Sequence, residues 1–382
     1  MHDPNPGLDR LTTPCLVLDE ARMTRNIRRL AAKAEALGVT LRPHLKTAKS
    51  VDVARRVLTG GSGPATVSTL AEAEVFAAAG VQDILYAVGI APQKLPRVLE
   101  LRAHGCDLVI LIDSLAQAQA VAEAAQAAGQ PIPALIEIDS DGHRGGLRAG
   151  DPELIEIGRR LHDSGAELRG VMTHAGESYG VDGSAAHAVF AGKERDATVA
   201  AARALREAGL PCPVVSVGST PTAHAAEDLS GVTELRAGVY MFFDLVMAGI
   251  GVCDTNDIAL SVLTTVIGHQ HDRGWVLVDA GWMAMSRDRG TAAQTVDQGY
   301  GVACDLDGRI YPDLIMRQAN QEHGILALRP GSTERLPDLP VGTRLRILPN
   351  HACATAAQHD RYHVIPEDGS GALMEWNRFG GW

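Results

Sequence analysis

The feature that most constrains the fold is a regular alternation, between residues 41 and 240, of short apolar runs with alanine-rich amphipathic segments. Strands that alternate with helices form a parallel sheet covered by helices, and eight such units over about 200 residues predict a closed, TIM-like (β/α)8 barrel. A doubly wound open sheet is the alternative, but the GxGxxG turn that usually follows its first strand is absent. The predicted strands are 41–44, 65–68, 83–88, 108–112, 134–138, 168–172, 214–217 and 234–240.

The character of the sequence changes beyond about residue 255, where short β-prone runs are broken by glycine, aspartate and proline. No convincing long helix separates these runs, so we predict a second, mostly antiparallel β domain. The early run CLVLD at 15–19 is a further strand that can join it. The sequence therefore predicts an α/β chain with a barrel domain at 21–255 and a β-rich domain at 1–20 and 256–382.

Composition excludes several classes of function. The 382 residues carry a net charge of −11, and because nucleic-acid binding needs a basic surface, no nucleic-acid partner is expected. No run approaches the roughly 18 apolar residues of a membrane span, and the polar N-terminus lacks the apolar core of a secretory signal. Six scattered cysteines form a poor disulfide framework and favour a reducing compartment. We therefore expect a cytoplasmic enzyme with no membrane partner.

The stretch LRPHLKTAKS at 41–50 is the first candidate for chemistry. If it is a strand, its alternation puts Arg42, His44 and Lys46 on one face. Three basic groups on one buried face are costly unless they hold an anion or perform chemistry. A partly buried Lys46, crowded by other cations, would be an activated amine that can form a Schiff base. In the alternative, Lys46 simply extends to solvent from the end of a strand.

Functional residues of a barrel are expected at the carboxyl ends of its strands. GSTPT at 218–222 follows the seventh predicted strand, and RAGVY at 236–240 belongs to the eighth. Backbone N–H groups at a helix start, together with Ser219 and Thr220, form an anion site, and the loops after strands 7 and 8 are the usual phosphate position. In the alternative, these hydroxyl groups only cap the helix.

Two further strand ends carry residues suited to ligand binding. The fifth strand leads into IDSDGHRGG, where Arg144 is a permanent cation beside two glycines that let the backbone approach a ligand closely. The sixth leads into THAGESYG, which offers His174 and Tyr179. Each has a plainer alternative, because an arginine in a turn is often solvated and a single histidine or tyrosine more often serves packing.

A metal site is predicted in the β-rich domain. LPNHACAT separates His351 and Cys353 by one residue, so on a strand both side chains project from the same face. Imidazole and thiolate are a soft pair that suits Zn²⁺, and two ligands with open positions suit catalysis better than a closed structural site. Chance is the alternative, because an H-x-C string is short.

Motifs occur along nearly the whole chain in the order RPHLKTAKS, ILYAVGIAP, EIDSDGHRGG, THAGESYG, VVSVGSTPT, RAGVYMFFD, VDAGWMAMSRDRG and PNHACAT. Together they resemble the D-serine dehydratase and D-threonine aldolase family. The members of this family are pyridoxal 5'-phosphate (PLP) enzymes of the alanine-racemase fold type. The number of motifs and their shared order make the resemblance specific.

The resemblance implies where PLP would bind. Lys46 would form the Schiff base with the cofactor, and Arg144 would lie beside the pyridine nitrogen. Because arginine does not readily give up a proton, the ring would be a weaker electron sink than with a carboxylate partner. His174 and Tyr179 would border the cofactor. The residues implied around the phosphate are Ser219, Thr220, Gly238 and Tyr240.

The resemblance also implies a metal and a reaction. His351 and Cys353 match the metal-binding pair of the family, with Zn²⁺ favoured and Mn²⁺, Co²⁺ or Mg²⁺ as alternatives. Members that cleave threonine tend to carry aspartate at the second position with a harder metal, so Cys353 favours the dehydratase branch. The expected reaction converts a D-β-hydroxy amino acid to a 2-oxo acid and ammonia, giving oxaloacetate from 3-hydroxyaspartate or pyruvate from serine.

Two other functions stay open. A D-threonine aldolase would use the same site for retro-aldol cleavage to glycine and an aldehyde. A non-catalytic PLP carrier is the more distant alternative, since it would not need a second domain with an H-x-C pair. Relatives of this fold type are head-to-tail homodimers, so the resemblance also implies a homodimer.

Overall fold

The structure is a computed structural model, which describes residues 7–58, 60–368 and 372–382. It divides into two compact units. They are Arg29–Gly238 with Gly380–Trp382, and Met1–Arg28 with Val239–Phe379. This division differs from the predicted domains in its details: the helix Glu20–Ala36 contributes to both units, residues 239–255 belong with the β-rich unit, and the last three residues belong with the barrel unit.

Strand β1 (Cys15–Asp19) and helix α1 (Glu20–Ala36) precede the barrel. Its strands are β2 (Thr40–Pro43), β3 (Ala65–Val67), β4 (Asp83–Gly89), β5 (Asp107–Ile112), β6 (Pro133–Ile138), β7 (Glu167–Thr173), β8 (Val214–Val217) and β9 (Glu234–Ala237). Its helices are α2 (Val51–Val57), α3 (Leu70–Ala78), α4 (Leu95–Ala103), α5 (Leu115–Ala128), α6 (Glu153–Asp163), α7 (Ser184–Glu207) and α8 (Thr220–Ala225). The strands are parallel, in the order β2-β9-β8-β7-β6-β5-β4-β3. A parallel bridge between His44 and Thr66 connects the two outermost strands, so the predicted (β/α)8 barrel is confirmed.

Local sequence explains these elements. All six residues of β6 are buried, as are five of the six in β5, because helices cover one face of the sheet and the barrel interior covers the other. Ser114 caps α5 by accepting the N–H of Gln117, and Gly129 ends that helix with a φ of 60°. Among the residues that the structure describes, no helix is long and apolar enough to span a bilayer.

Charged side chains lie at the amino-terminal end of the barrel. Arg42 donates to Asp83 at 2.7 Å and to Glu234 at 2.6 Å, and these acids are the first residues of β4 and β9. Strand β2 ends before His44, and Lys46 lies beyond it in a turn. The predicted grouping of Arg42, His44 and Lys46 on one strand face is therefore wrong. Arg42 makes its ion pairs at the opposite end of the barrel from Lys46.

The second unit is a mostly antiparallel sheet, as predicted. Besides β1 it contains β10 (Leu260–Gln270), β11 (Trp275–Val278), β12 (Gly301–Cys304), β13 (Ile310–Ala319), β14 (Gly324–Leu328), β15 (Arg344–Pro349), β16 (Arg361–Ile365) and β17 (Met374–Asn377). Its short helices are α9 (Leu245–Gly249), α10 (Trp282–Met285) and α11 (Ala352–Ala356). The order is β11-β14-β13-β12-β15-β10-β1-β16-β17, and β10 also pairs with β11. The pairing of β1 with β16 is parallel, and β1 joins this sheet as the sequence predicted.

Candidate active site

The carboxyl ends of the barrel strands bring together most of the candidate side chains of the barrel unit. Lys46 lies in the turn after β2, and Arg144 lies in the loop after β6. His174 directly follows β7, and Tyr179 lies in the 3₁₀ helix Gly176–Gly180 of the same loop. The candidates after β8 and β9 are Ser219, Thr220 and Gly238.

The turn that carries Lys46 is held by hydrogen bonds on both sides. The N–H of Lys46 donates to Nδ1 of His44 at 3.4 Å, so the proton of that imidazole lies on Nε2, which is 3.3 Å from the Ser68 hydroxyl oxygen. Three residues on, Lys49 pairs with the buried carboxylate of Glu72 at 3.2 Å. Lys46 itself is exposed, so the partial burial predicted for it is wrong, and its amine is accessible to a ligand.

Positive charges surround a neutral histidine at this end of the barrel. Nδ1 of His174 donates to the carbonyl oxygen of Gly218 at 3.1 Å, which leaves Nε2 as an acceptor. Burial, together with the charges of Arg144, Lys46 and Arg236, lowers the pKa of His174 to about 3. A group of cations around an uncharged imidazole is an environment that favours an anionic ligand.

The pKa of His174 leads to a testable pH dependence. The group titrates near 6.5 when unfolded and near 3 when folded, so between these values the unfolded chain binds more protons. We therefore expect the free energy of unfolding that depends on His174 to decrease as the pH falls from 6.5 towards 3. An NMR titration of the His174 ring, assigned with a His174→Gln variant, should show no protonation between about pH 5 and 8. A midpoint near the ordinary histidine value would contradict the burial and charge arrangement.

The two hydroxyl groups after β8 have different surroundings. The Ser219 hydroxyl caps α8 by accepting the N–H of Thr222 at 3.3 Å, and it also lies 3.0 Å from the hydroxyl oxygen of Ser178. Within the chain, the Ser219 hydroxyl therefore acts as a helix cap, which is the plainer of the two roles considered from the sequence. Oγ1 of Thr220 is buried and has no partner among the described residues. Because an unpaired buried hydroxyl is costly, Thr220 fits a ligand that accepts a hydrogen bond, such as a phosphate.

Two candidates at the end of β9 also suit close approach of a ligand. A Cβ atom on Gly238 would lie 3.2 Å from the carbonyl oxygen of His44 and 3.3 Å from Oγ1 of Thr47, so a side chain there would press on the Lys46 turn. Tyr240 belongs to the second unit, where burial raises the pKa of its phenol. Its hydroxyl oxygen has no partner in the described part of the chain. Tyr240 therefore fits the same kind of ligand as Thr220.

The predicted metal pair lies in the second unit. His351 is the N-cap residue of α11 and Cys353 lies in its first turn, so the prediction that both project from one strand is wrong. The two side chains nevertheless lie close enough for Cys353 to influence the pKa of His351. Nδ1 of His351 is 2.6 Å from Oδ2 of Asp288. Burial alone would lower the pKa of His351, but its hydrogen bond with Asp288 and the proximity of Cys353 raise it to about 11.

This pair has the chemistry of an open metal site. Because Nδ1 of His351 faces Asp288, Nε2 is the nitrogen available to a metal. A carboxylate that fixes a ligating histidine is the usual support of such sites. Within the described ranges, no cluster of three or more His, Cys, Asp or Glu side chains could hold a metal. Two protein ligands leave positions for water or substrate, as a catalytic site requires.

The structure adds supporting residues that the sequence did not single out. Asp288 lies within the quoted motif VDAGWMAMSRDRG, but nothing in the motif distinguishes it from its neighbours. Asp244 caps α9 and also accepts the N–H of Ala352 at 2.9 Å, and this hydrogen bond fixes the position of the first residue of α11. Glu194 lies within a long amphipathic helix, where an acidic residue normally indicates a solvated face.

Comparison with known proteins identifies the family. A family model described as "Alanine racemase, N-terminal domain" matches residues 18–246, and one described as "Putative serine dehydratase domain" matches residues 259–365. The D-threo-3-hydroxyaspartate dehydratase of Delftia sp. (strain HT23) is 58% identical over 375 residues, which cover 97% of this chain and 98% of the relative. The D-threonine aldolase of Arthrobacter sp. is 30% identical over 371 residues, which cover 95% of this chain and 91% of the relative.

A solved structure extends the likeness to three dimensions. A C353A variant of D-threo-3-hydroxyaspartate dehydratase "in the metal-free form" matches with a TM-score of 0.95 at 58% identity, covering 98% of this chain and 99% of that chain. Fold, sequence and domain content therefore agree along nearly the whole length. The chain belongs to the D-serine dehydratase and D-threonine aldolase family, the PLP-dependent lyases that share the alanine racemase fold.

Proposed function

We propose that this chain is a PLP- and divalent-metal-dependent dehydratase that converts D-threo-3-hydroxyaspartate to oxaloacetate and ammonia, with D-serine as a second substrate. The main support is the 58% identity, over 97% of the chain, to a protein named for that substrate. We also propose that it acts as a homodimer, as the resemblance implies, and that it is cytoplasmic, as its six scattered cysteines suggest.

The barrel unit would hold the cofactor. When bound, PLP withdraws electrons from the Cα of an amino acid and so makes its Cα–H bond acidic. In our proposal, Lys46 binds the cofactor covalently and its freed amine then takes the Cα proton as general base, which its exposed position allows. Arg144 would donate a hydrogen bond to the pyridine nitrogen while keeping its own proton. His174 and Tyr179 would border the ring.

The phosphate would bind where the structure has unpaired donors. The buried hydroxyl groups of Thr220 and Tyr240 have no partner among the described residues, and a phosphate oxygen would satisfy each. Gly238 would allow close approach of the backbone, since a larger residue would crowd the Lys46 turn. Ser219 would contribute mainly by capping α8, because its hydroxyl is already bonded.

The second unit would hold a divalent ion at His351 and Cys353, with Zn²⁺ favoured by the soft thiolate and Mn²⁺, Co²⁺ or Mg²⁺ as alternatives. A bound ion would supply Lewis-acid polarisation of the substrate's β-hydroxyl, which would make that group a better leaving group. The thiol of Cys353 two residues after His351, whose ring is oriented by Asp288, is the feature that favours a dehydratase. A harder aspartate in place of Cys353 would instead suit an aldolase, which only deprotonates the hydroxyl group.

A product assay tests this function directly. The holoenzyme is incubated with D-serine, D-threonine and both diastereomers of D-3-hydroxyaspartate, and ammonia, 2-oxo acids, glycine and aldehydes are quantified. We expect ammonia and oxaloacetate from the threo diastereomer as the fastest reaction. Glycine with an aldehyde would instead identify an aldolase, and no turnover of any substrate would favour a PLP carrier.

A further inference from the structure

A buried acid on helix α7 connects two of the loops at the carboxyl end of the barrel. Glu194 is only 1% exposed. Its Oε1 atom accepts the N–H of Ala175 at 3.0 Å and the N–H of Gly218 at 2.9 Å. One side chain therefore binds the backbone after β7 and the backbone after β8.

A buried carboxylate at this position needs strong compensation. Burial raises the pKa of Glu194, whereas the polar side chain of Thr222, the N–H groups of Gly218 and Ala175 and the charge of Arg236 favour the ionised form. A buried acid is retained at such a cost only where several donors converge on it. Here those donors belong to the loops that carry His174 and Ser219, so the carboxylate fixes the distance between them.

Gly218 takes part in this connection through both its N–H and its carbonyl group. Its N–H donates to Glu194, and its carbonyl oxygen accepts from Nδ1 of His174. Its φ of +133° lies in a region that residues with side chains rarely adopt, and a Cβ atom would lie 2.0 Å from the carbonyl oxygen of Arg236. The next residues in the chain are Ser219 and Thr220, so their positions depend on this peptide.

We propose that Glu194 is a positioning residue for the phosphate end of the cofactor: by holding the peptide of Gly218 against the loop after β7, it aims the unpaired hydroxyl of Thr220. This inference rests on the proposed function, in which Thr220 contacts the phosphate. It predicts that Glu194 contributes to the affinity for PLP but not to the affinity for pyridoxal, which lacks the phosphate.

The test compares the two ligands on apo-proteins. Dissociation constants for PLP and for pyridoxal are measured by fluorescence titration for the wild type, Glu194→Gln and Glu194→Leu, together with the melting temperature of each apo-protein. Thr198→Val is the matched control, because Thr198 is fully buried one turn along α7 and its hydroxyl donates to the backbone carbonyl of Glu194 rather than to its carboxylate.

We expect Glu194→Leu to weaken PLP binding by about tenfold or more, since several hydrogen bonds to a charged acceptor are lost, and to change pyridoxal binding by less than about twofold. Glu194→Gln keeps an acceptor for the two N–H groups but loses the charge, so its preference for PLP should fall by about threefold. Thr198→Val should keep the wild-type preference. A purely structural role would lower the melting temperature and weaken both ligands equally.

An unchanged preference for PLP in Glu194→Gln would refute the inference, and this variant decides the matter if Glu194→Leu does not fold. Equal weakening of both ligands would refute it as well. A wild type that binds pyridoxal as tightly as PLP would instead overturn the proposed phosphate site, which distinguishes a failure of the proposed function from a failure of the role of Glu194.

Discussion

Replacing Lys46 with arginine is expected to abolish covalent attachment of PLP and to lower the rate of substrate turnover by at least about 10³-fold. Arginine keeps the positive charge and nearly the length of the side chain, but its guanidinium is not a nucleophile and does not act as a base. Because Lys46 is exposed in a turn, the change should leave the fold and the melting temperature nearly unaltered. Borohydride reduction followed by peptide mass spectrometry measures the attachment.

The chain offers a closely matched control in Lys49, three residues along the same turn. Its amine is engaged by the buried carboxylate of Glu72, so Lys49→Arg preserves an ion pair and should keep covalent PLP and most of the activity. The assignment of Lys46 would be wrong if the Lys46→Arg protein still carried reduced PLP on the peptide that contains position 46. It would also be wrong if the reduced PLP in the wild type were found on Lys49.

The barrel could be predicted because its signal is distributed over the whole chain. Strands β5 and β6 are buried on both faces and so appear as nearly continuous apolar runs. The helix between them, α5, is marked by its caps at Ser114 and Gly129. No single residue decides this pattern, so errors at strand ends do not change the fold. The alternation of apolar runs with helical segments predicts the parallel barrel. The lack of long helical segments beyond residue 255 predicts the antiparallel sheet.

Individual side chains were harder to place, because their surroundings come from distant parts of the chain. Alternation put Arg42 beside Lys46, but the strand stops before His44, and the acids that bind Arg42 begin strands 41 and 192 residues away. The sequence likewise put His351 and Cys353 on a strand, whereas β15 ends at Pro349 and the pair begins a helix. In both cases the sequence indicates residues that have specific partners in the structure, but it predicts the wrong secondary structure around them.

The acids that position other groups could not be predicted at all. Glu194 resembles any acidic residue of a surface helix until the fold brings two loop backbones to its carboxylate. Asp288 is one of several charged residues in its motif until His351 approaches from 63 positions along the chain. The partners of such acids are supplied only by the tertiary structure, so the periodicity of the sequence does not reveal them.

Removing the divalent ion with a chelator is expected to lower dehydration at least about 10²-fold while PLP stays covalently bound, because the ion and the cofactor would act on different bonds of the substrate. Adding Zn²⁺ back should restore the activity. The absorbance of the cofactor, the metal content by elemental analysis and the release of ammonia are measured on the same sample. Chelation that also released PLP would show that the metal has a structural role, contrary to the proposal.

Substitution at the pair separates the metal from other effects of the chelator. Cys353→Ala should lose both the metal and the dehydration activity, since it removes one of two protein ligands and leaves His351 with Asp288. Cys253→Ala is the matched control, because Cys253 is also a partly buried cysteine thiol of the second unit and lies outside the pair. It should keep the metal and the wild-type rate. Full activity in metal-free wild-type enzyme, or in Cys353→Ala, would remove the metal from the reaction and leave departure of the β-hydroxyl to acid groups of the chain alone.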